Sequence, residues 1–173
     1  EGLDVNIRLV DCVGYTVPRA KGHEDENGPR MINTPWYEEP IPFHEAAEIG
    51  TRKVIQEHST IGVLVTTDGT IGEIPRSNYI EAEERVIEEL KEVGKPFIMV
   101  VNSAQPYHPS TETLRSNLAE KYDIPVIAMS VESMRENDCL NVLREALYEF
   151  PVLEVNVNLP SWVMVLKENH WLR

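Results

Sequence analysis

The sequence predicts an α/β domain with a mostly parallel sheet and helices on both faces. Short apolar runs alternate along the chain with segments whose apolar residues recur at helical spacing. This alternation is typical of parallel strands joined by crossover helices. Polar residues directly follow four of the apolar runs, and a parallel sheet brings such positions together along its carboxyl edge, where α/β proteins bind ligands.

The first predicted strand covers residues 5–10, which alternate between apolar and polar side chains as a strand with one buried face does. Asp11 follows at the carboxyl end of this strand, and Gly14 lies three residues later. An acid and a glycine at this spacing are typical of the Walker B and switch II segment of P-loop nucleotidases. The carboxylate can hold a Mg²⁺-bound water there, and the glycine lets a backbone N–H approach a terminal phosphate. A strand end with a turn acid and a turn glycine is the alternative interpretation.

Residues 15–42 are predicted to be irregular, because they contain five prolines and an acidic cluster at 24–26. Two interpretations stay open for this segment: a nucleotide-sensing switch or a disordered surface loop. Trp36 and Tyr37 suggest that part of it docks on the body of the domain.

The next elements follow from periodicity. Residues 43–58 are predicted to form an amphipathic helix, and residues 61–65 a strand covered on both faces that ends at Thr67 and Asp68. Asn78 and Glu81 have the spacing of a capping box, which predicts a second helix up to Gly94.

The same alternation continues to the end of the domain. The sequence predicts a strand over 96–101 ending at Asn102 and Ser103, a helix capped by Ser110, a strand over 125–129 ending at Ser130, and a helix opening at Asn137. We assign residues 1–150 to the carboxyl-terminal part of one domain. Residues 151–173 are expected to start the next element or a middle domain.

Composition narrows the class of function. The formal net charge of −13 argues against binding nucleic acid or anionic lipid by charge neutralisation. Two cysteines give neither a disulfide framework nor a metal-binding spacing, which fits a reducing cytoplasm. The chain has no apolar run long enough for a membrane span, and we expect no signal peptide.

The residues after the third apolar run lie where GTPases have their base-recognition motif, N-K-x-D. Residues 101–105 read Val-Asn-Ser-Ala-Gln, so the asparagine is kept, whereas the lysine and the aspartate are not. Because the acid that accepts from guanine is missing, strict GTP specificity is not expected.

Long stretches of the chain, among them RLVDCVGY, EAEERVIEELKEVGKPFIMV and LEVNVNLPSWVMVLKENHWLR, resemble the stage IV sporulation protein A family. The resemblance covers essentially all 173 residues. It implies a GTPase-like P-loop fold that binds and hydrolyses ATP with Mg²⁺, and a structural protein that polymerises with itself into the basement layer of the spore coat. It also implies a place in the mother-cell cytoplasm at the outer surface of the forespore membrane. The implied partners are a small amphipathic forespore-membrane peptide and other spore coat morphogenetic proteins.

The resemblance assigns roles to individual residues. Asp11 matches the Walker B acid, which would organise Mg²⁺ and the attacking water, and Gly14 matches the switch glycine. Asn102 and Ser103 lie where the base would be read, and Ser130 lies on the loop that closes over the base.

No G-x-x-x-x-G-K-[ST] phosphate loop occurs in the sequence. In a GTPase-like fold that loop and the first strand would lie before Glu1, so we expect a domain truncated at its N-terminus. The missing strand would leave a gap between the strand ending at Asp11 and the strand ending at Thr66. We therefore expect the chain alone not to hydrolyse ATP. A non-catalytic scaffold that binds coat partners is the alternative, and a phosphoacceptor domain using Asp11 is disfavoured because it would need a second acid and a lysine.

Overall fold

A computed structural model describes residues 6–22, 24–25, 28–151 and 170 of the chain. Residues 151–173 were assigned to a following element or domain, and most of them lie outside the described residues. The helices are α1 (Phe43–Lys53), α2 (Ile80–Val93), α3 (Pro109–Tyr122) and α4 (Glu136–Tyr148). The strands are β1 (Glu24–Asp25), β2 (Gly28–Pro29), β3 (Met31–Ile32), β4 (Ile41–Pro42), β5 (Gly62–Thr67), β6 (Phe97–Asn102) and β7 (Val126–Met129). A π-helical turn (Val54–His58) extends α1, and a 3-10 turn (Arg76–Asn78) precedes α2.

The main sheet has the order β5-β6-β7, and both pairings are parallel. Thr67 lies opposite Asn102, and Asn102 lies opposite Met129, so the carboxyl ends of the three strands are level. This alignment brings the loops after the strands to one edge of the sheet. The predicted α/β fold with a parallel sheet is therefore confirmed.

The core is built around the central strand β6, whose first five residues are all buried. Alternate residues of β6, Phe97, Met99 and Val101, pack with residues of α2 and α3 on one face of the sheet. Ile98 and Val100 point to the opposite face and are also buried, and α4 packs on β6. Helices thus cover both faces at the centre of the sheet. Within the described part of the chain, no helix is long and apolar enough to cross a membrane.

The strand predicted for residues 5–10 is wrong over its described part. Residues 6–14 have no regular secondary structure, and Leu9 is 87% exposed. A strand exists only where its N–H and C=O groups have a hydrogen-bonded neighbour, and residues 6–10 pair with no other described strand. Their alternating pattern therefore did not lead to a strand in this chain.

The outer edge of β5 is open. Among the described residues, β5 pairs only with β6, and Val63 and Val65 are exposed, so the prediction that this strand is covered on both faces is wrong. A cavity of about 310 Å³ separates β5 from residues 10–14. The predicted gap lay between two strands, and since residues 6–10 form no strand, its far side has no counterpart among the described residues.

The helix starts also differ from the sequence prediction. Tyr79 stands at the N-cap of α2 without a side-chain cap, and the Asn78 side chain instead donates to Pro18 O at 2.8 Å. His108 rather than Ser110 caps α3: its ring accepts from the Ser110 backbone N–H at 3.3 Å, while Pro109 occupies the first turn. At its other end, α2 stops at Gly94, which has a left-handed φ of 69° as predicted.

The segment between residues 15 and 42 is mostly irregular, as predicted, apart from two short antiparallel pairs. β1 pairs with β2, and β3 pairs with β4, which leads directly into α1. The Trp36 ring lies against Gly50 of α1, where an added Cβ would come within 3.3 Å of it. Trp36 therefore docks this part of the segment on the domain.

Candidate functional site at the carboxyl edge of the sheet

Asp11 lies on an exposed segment beside the open edge of β5. One of its carboxylate oxygens accepts from the backbone N–H of Cys12 at 2.9 Å. Asp11 also lines a second cavity of about 440 Å³ between its own segment, residues 32–36 and α1. Its carboxylate is therefore accessible to a ligand or to water.

Gly14 turns the chain towards α1. Its φ of 78° lies in the left-handed region, which favours glycine. Its N–H donates to the hydroxyl of Thr51 at 3.1 Å, and Thr51 is buried in α1. The amide that the sequence assigns to a terminal phosphate is thus hydrogen-bonded within the protein in this structure.

Tyr15, the residue after Gly14, lies among charged side chains of α1 and α2. The Arg85 guanidinium of α2 lies 4.3 Å from the centroid of the Tyr15 ring and makes two hydrogen bonds, of 2.8 and 2.7 Å, to the carboxylate of Glu48. Burial, followed by the neighbouring Glu89 carboxylate, raises the pKa of Tyr15 well above its usual value. Tyr15 is therefore neutral at physiological pH and anchors the end of the Asp11–Gly14 segment between α1 and α2.

The ligands available for Mg²⁺ at Asp11 are limited. Among the described residues, no group of three or more histidine, cysteine, aspartate or glutamate side chains is arranged to hold a metal. Mg²⁺ commonly takes one or two protein carboxylates and completes its octahedron with water and substrate phosphates. A single accessible carboxylate such as Asp11 fits that manner of binding but does not form a complete site.

The three base-site candidates lie together at the carboxyl ends of β6 and β7. The Asn102 side-chain carbonyl oxygen accepts from the N–H of Val131 at 3.0 Å, and the Ser103 N–H donates to Met129 O at 2.9 Å. Ser130 lies between these two partners and is partly buried. These bonds join the loop after β6 to the loop after β7.

Ser103 is fully buried and does not face the exterior of the site. Its hydroxyl donates to Asp68 at 2.6 Å and accepts from the Gln105 N–H at 3.0 Å. Its side chain thus organises the loop from within and is not free to contact a ligand.

Sequence reasoning noticed Asp68 as a polar strand end but missed what surrounds it. Thr70, Ser103 and Thr111 all donate hydroxyl hydrogen bonds to its carboxylate. Burial raises the pKa of Asp68, but the hydrogen bonds from Ser103, Thr70 and Thr111 outweigh it and leave the pKa below its usual value. The turn from Asp68 to Thr70 is local and could have been recognised, whereas Thr111, 43 residues away, gives no sequence signal because only the fold brings it to Asp68.

The structure separates the candidates into two groups. Asp11 and Gly14 flank the open edge of β5, whereas Asn102, Ser103 and Ser130 lie on β6, β7 and their loops. Neither of the two cavities that Asp11 lines is lined by a member of the second group.

A parallel α/β sheet with polar loops at its carboxyl edge defines the general class of α/β ligand-binding domains, to which many nucleotide-binding proteins belong. Comparison with known proteins specifies the family. The family model for the stage IV sporulation protein A ATPase domain matches residues 1–151, so the chain belongs to the stage IV sporulation protein A family.

Three relatives, each named stage IV sporulation protein A, match along essentially the whole chain. Those of Bacillus subtilis strain 168 and Bacillus anthracis are 88% and 85% identical over 173 residues. That of Clostridioides difficile strain 630 is 49% identical over 171 residues, which is 99% of this chain. The chain spans 35% of the length of each of these relatives.

Proposed function

We propose that this chain forms part of the ATP-hydrolysing domain of a self-polymerising protein that builds the basement layer of the spore coat. The match of an ATPase-domain model to residues 1–151 is the observation that carries the proposal. The matched region includes the Asp11–Gly14 segment and the joined loops after β6 and β7. In this proposal the full-length protein acts in the mother-cell cytoplasm, at the outer surface of the forespore membrane.

In the proposed reaction, Asp11 holds Mg²⁺ through water and orients the water that attacks the terminal phosphate. Mg²⁺ supplies charge neutralisation on the phosphates when it is bound. The loops that carry Asn102 and Ser130 bind the base. In this proposal the phosphates are bound by polypeptide of the full-length protein outside this chain, since the sequence contains no G-x-x-x-x-G-K-[ST].

The assembly partners belong to the same proposal. Further copies of the protein would form the polymer, a small amphipathic forespore-membrane peptide would recruit it, and other coat morphogenetic proteins would bind to it. The relatives' names support a role in sporulation.

A second candidate function is that of a scaffold whose surface binds partners without catalysis. The exposed apolar side chains of α4, Leu140, Leu147 and Tyr148, favour this possibility. Apolar side chains of this size on one helix are a surface that a partner can cover.

Replacing Asp11 by alanine in the full-length protein tests the enzymatic function. We expect ATP hydrolysis, measured as phosphate release with malachite green, to fall by about two orders of magnitude or more, because the residue that organises the metal is lost. Asp11 is exposed, so the circular dichroism spectrum and thermal midpoint should stay unchanged.

Glu120→Ala is the matched control, since it also removes one exposed carboxylate, here from the last turn of α3, away from both candidate groups. Nucleotide-dependent sedimentation of the same proteins reports assembly. Normal turnover by the Asp11 variant would contradict the assignment of Asp11. Assembly by the wild-type protein without any phosphate release would instead favour the scaffold.

A further inference from the structure

Four side chains form a hydrogen-bonded cluster at the carboxyl edge of the sheet, which we call the Asp68 cluster: Asp68, Thr70, Ser103 and Thr111. One carboxylate oxygen of Asp68 accepts from the Ser103 hydroxyl at 2.6 Å and the Thr111 hydroxyl at 3.0 Å. The other accepts from the Thr70 backbone N–H at 2.9 Å and its hydroxyl at 2.5 Å. Ser103 and Thr111 are buried, so these bonds are shielded from water.

The cluster continues into the backbone of the loop after β6. The Thr70 hydroxyl accepts from the Ala104 N–H at 2.9 Å, and the Ser103 hydroxyl accepts from the Gln105 N–H at 3.0 Å. Each hydroxyl can donate one hydrogen bond, and in both residues the Asp68 carboxylate accepts that bond. The hydroxyl lone pairs are therefore directed to the two successive amides. Asp68 thus sets the orientation of the Ala104–Gln105 backbone through two intermediaries.

The loop after β6, which the Asp68 cluster holds, is also held by the loop after β7. Asn102 is joined to Val131 in the loop after β7 by the hydrogen bond described above. Loops from three adjacent strands are therefore held together, and Asp68 is the charged group at one end of this series. A carboxylate that served only to terminate β5 would not need partners on β6 and α3.

We propose that Asp68 is a positioning residue for nucleotide binding, which acts through Thr70 and Ser103 to fix the loop after β6. Asp68 does not itself contact the nucleotide in this proposal. The inference rests on the proposed function, since it assigns a purpose to the loop that carries Asn102.

The substitution Asp68→Asn keeps nearly the same side-chain shape but replaces one acceptor oxygen by an NH₂ group, which is a donor. The carbonyl oxygen of the introduced amide must face the Thr70 N–H, so its NH₂ group faces the hydroxyls of Ser103 and Thr111. Ser103 must then accept from this NH₂ group, and its own proton loses the acceptor that kept the hydroxyl oriented towards the Gln105 N–H. The expected result is a misplaced loop in a folded protein.

The experiment measures ATP hydrolysis by the full-length protein and its Asp68→Asn variant as a function of ATP concentration. We expect KM to rise about tenfold, as the loss of a hydrogen-bond network with a charged member predicts, while kcat changes by less than about twofold. The matched control is Asp123→Asn. Asp123 follows α3 and lies near the start of β7, at the opposite end of the sheet, so this variant should leave KM and kcat unchanged. A merely structural role would lower the thermal midpoint without this separation of KM from kcat.

A second pair of variants decides the matter if Asp68→Asn does not fold. Thr70 is exposed, so Thr70→Val should fold; it removes the hydroxyl between Asp68 and Ala104 and should raise KM in the same direction. Thr70→Ser keeps the hydroxyl and should restore KM.

An unchanged KM in folded Asp68→Asn, or in Thr70→Val, would overturn the positioning role. It would leave the proposed function intact as long as the wild-type protein hydrolyses ATP and Asp11→Ala does not. Absence of hydrolysis by the wild-type protein would instead overturn the proposed function, and the positioning role with it.

Discussion

At the scale of single residues, Gln105 occupies the position at which GTPases have the guanine-binding aspartate. It is exposed, and only its backbone is engaged, by Ser103 and by the N–H of His108. A carboxamide both donates and accepts, so it can match the N6 amino group and N1 of adenine. A carboxylate only accepts and suits the two donors of guanine.

We therefore expect Gln105→Glu in the full-length protein to lower the ratio of kcat/KM for ATP to that for GTP about tenfold or more. Gln56→Glu introduces the same charge at an exposed position on the π-helical turn and should leave the ratio unchanged. Phosphate release with each nucleotide measures both values. An unchanged ratio in the Gln105 variant would mean that the base is read elsewhere.

At the scale of elements, the π-helical turn after α1 is held from another part of the chain. The ammonium group of Lys95 donates to the carbonyl oxygens of Ile55, Gln56 and Ser59, at 2.6, 2.8 and 2.6 Å. These carbonyls lie where a helix ends and have no continuing turn to bond. Lys95 therefore fixes the connection between α1 and β5.

Replacing Lys95 by methionine, which keeps the aliphatic stem, should lower the free energy of unfolding by about 1–3 kcal/mol, since partly buried carbonyls lose a charged donor. Urea denaturation followed by circular dichroism measures the change. Lys21→Met, at a lysine whose side chain is 92% exposed, is the control and should have little effect. Equal stability of the two variants would show that water replaces the ammonium group without cost.

The elements at the centre of the domain could be predicted because the sequence patterns that specify them lie within the elements themselves. The buried run that forms β6 and the helical stripe of α2 with its closing Gly94 appear where the sequence places them. The strand expected before Asp11 failed because alternation specifies a face but cannot supply a neighbour to pair with. The Asp68 cluster could not be foreseen as a whole, since Ser103 and Thr111 reach Asp68 only once the fold brings the loop after β6 and α3 beside it.

At the scale of the whole molecule, the open edge of β5 is the main feature. The Gly62 N–H bonds to Pro96 on the β6 side, so the N–H and C=O groups of Val63 and Val65 face outward, because successive residues point to opposite sides. This chain spans 35% of the length of its relatives, and a strand from the remaining polypeptide is the expected partner.

We accordingly expect the chain alone to release no phosphate from Mg-ATP, and the full-length protein to release it. The malachite green assay on the two proteins at equal concentration measures this difference. Hydrogen exchange should show faster exchange at Val63 and Val65 in the chain alone. Turnover by the chain near that of the full-length protein would refute the expectation and require a phosphate site among its own residues.

The outward-facing backbone groups of Val63 and Val65 have a practical consequence for the purification of this polypeptide. An unpaired strand without charged side chains is a template for its counterpart in a second molecule, and two copies can join edge to edge. Dimers and larger aggregates formed in this way would increase with concentration, and sedimentation alone would not distinguish them from the proposed polymer.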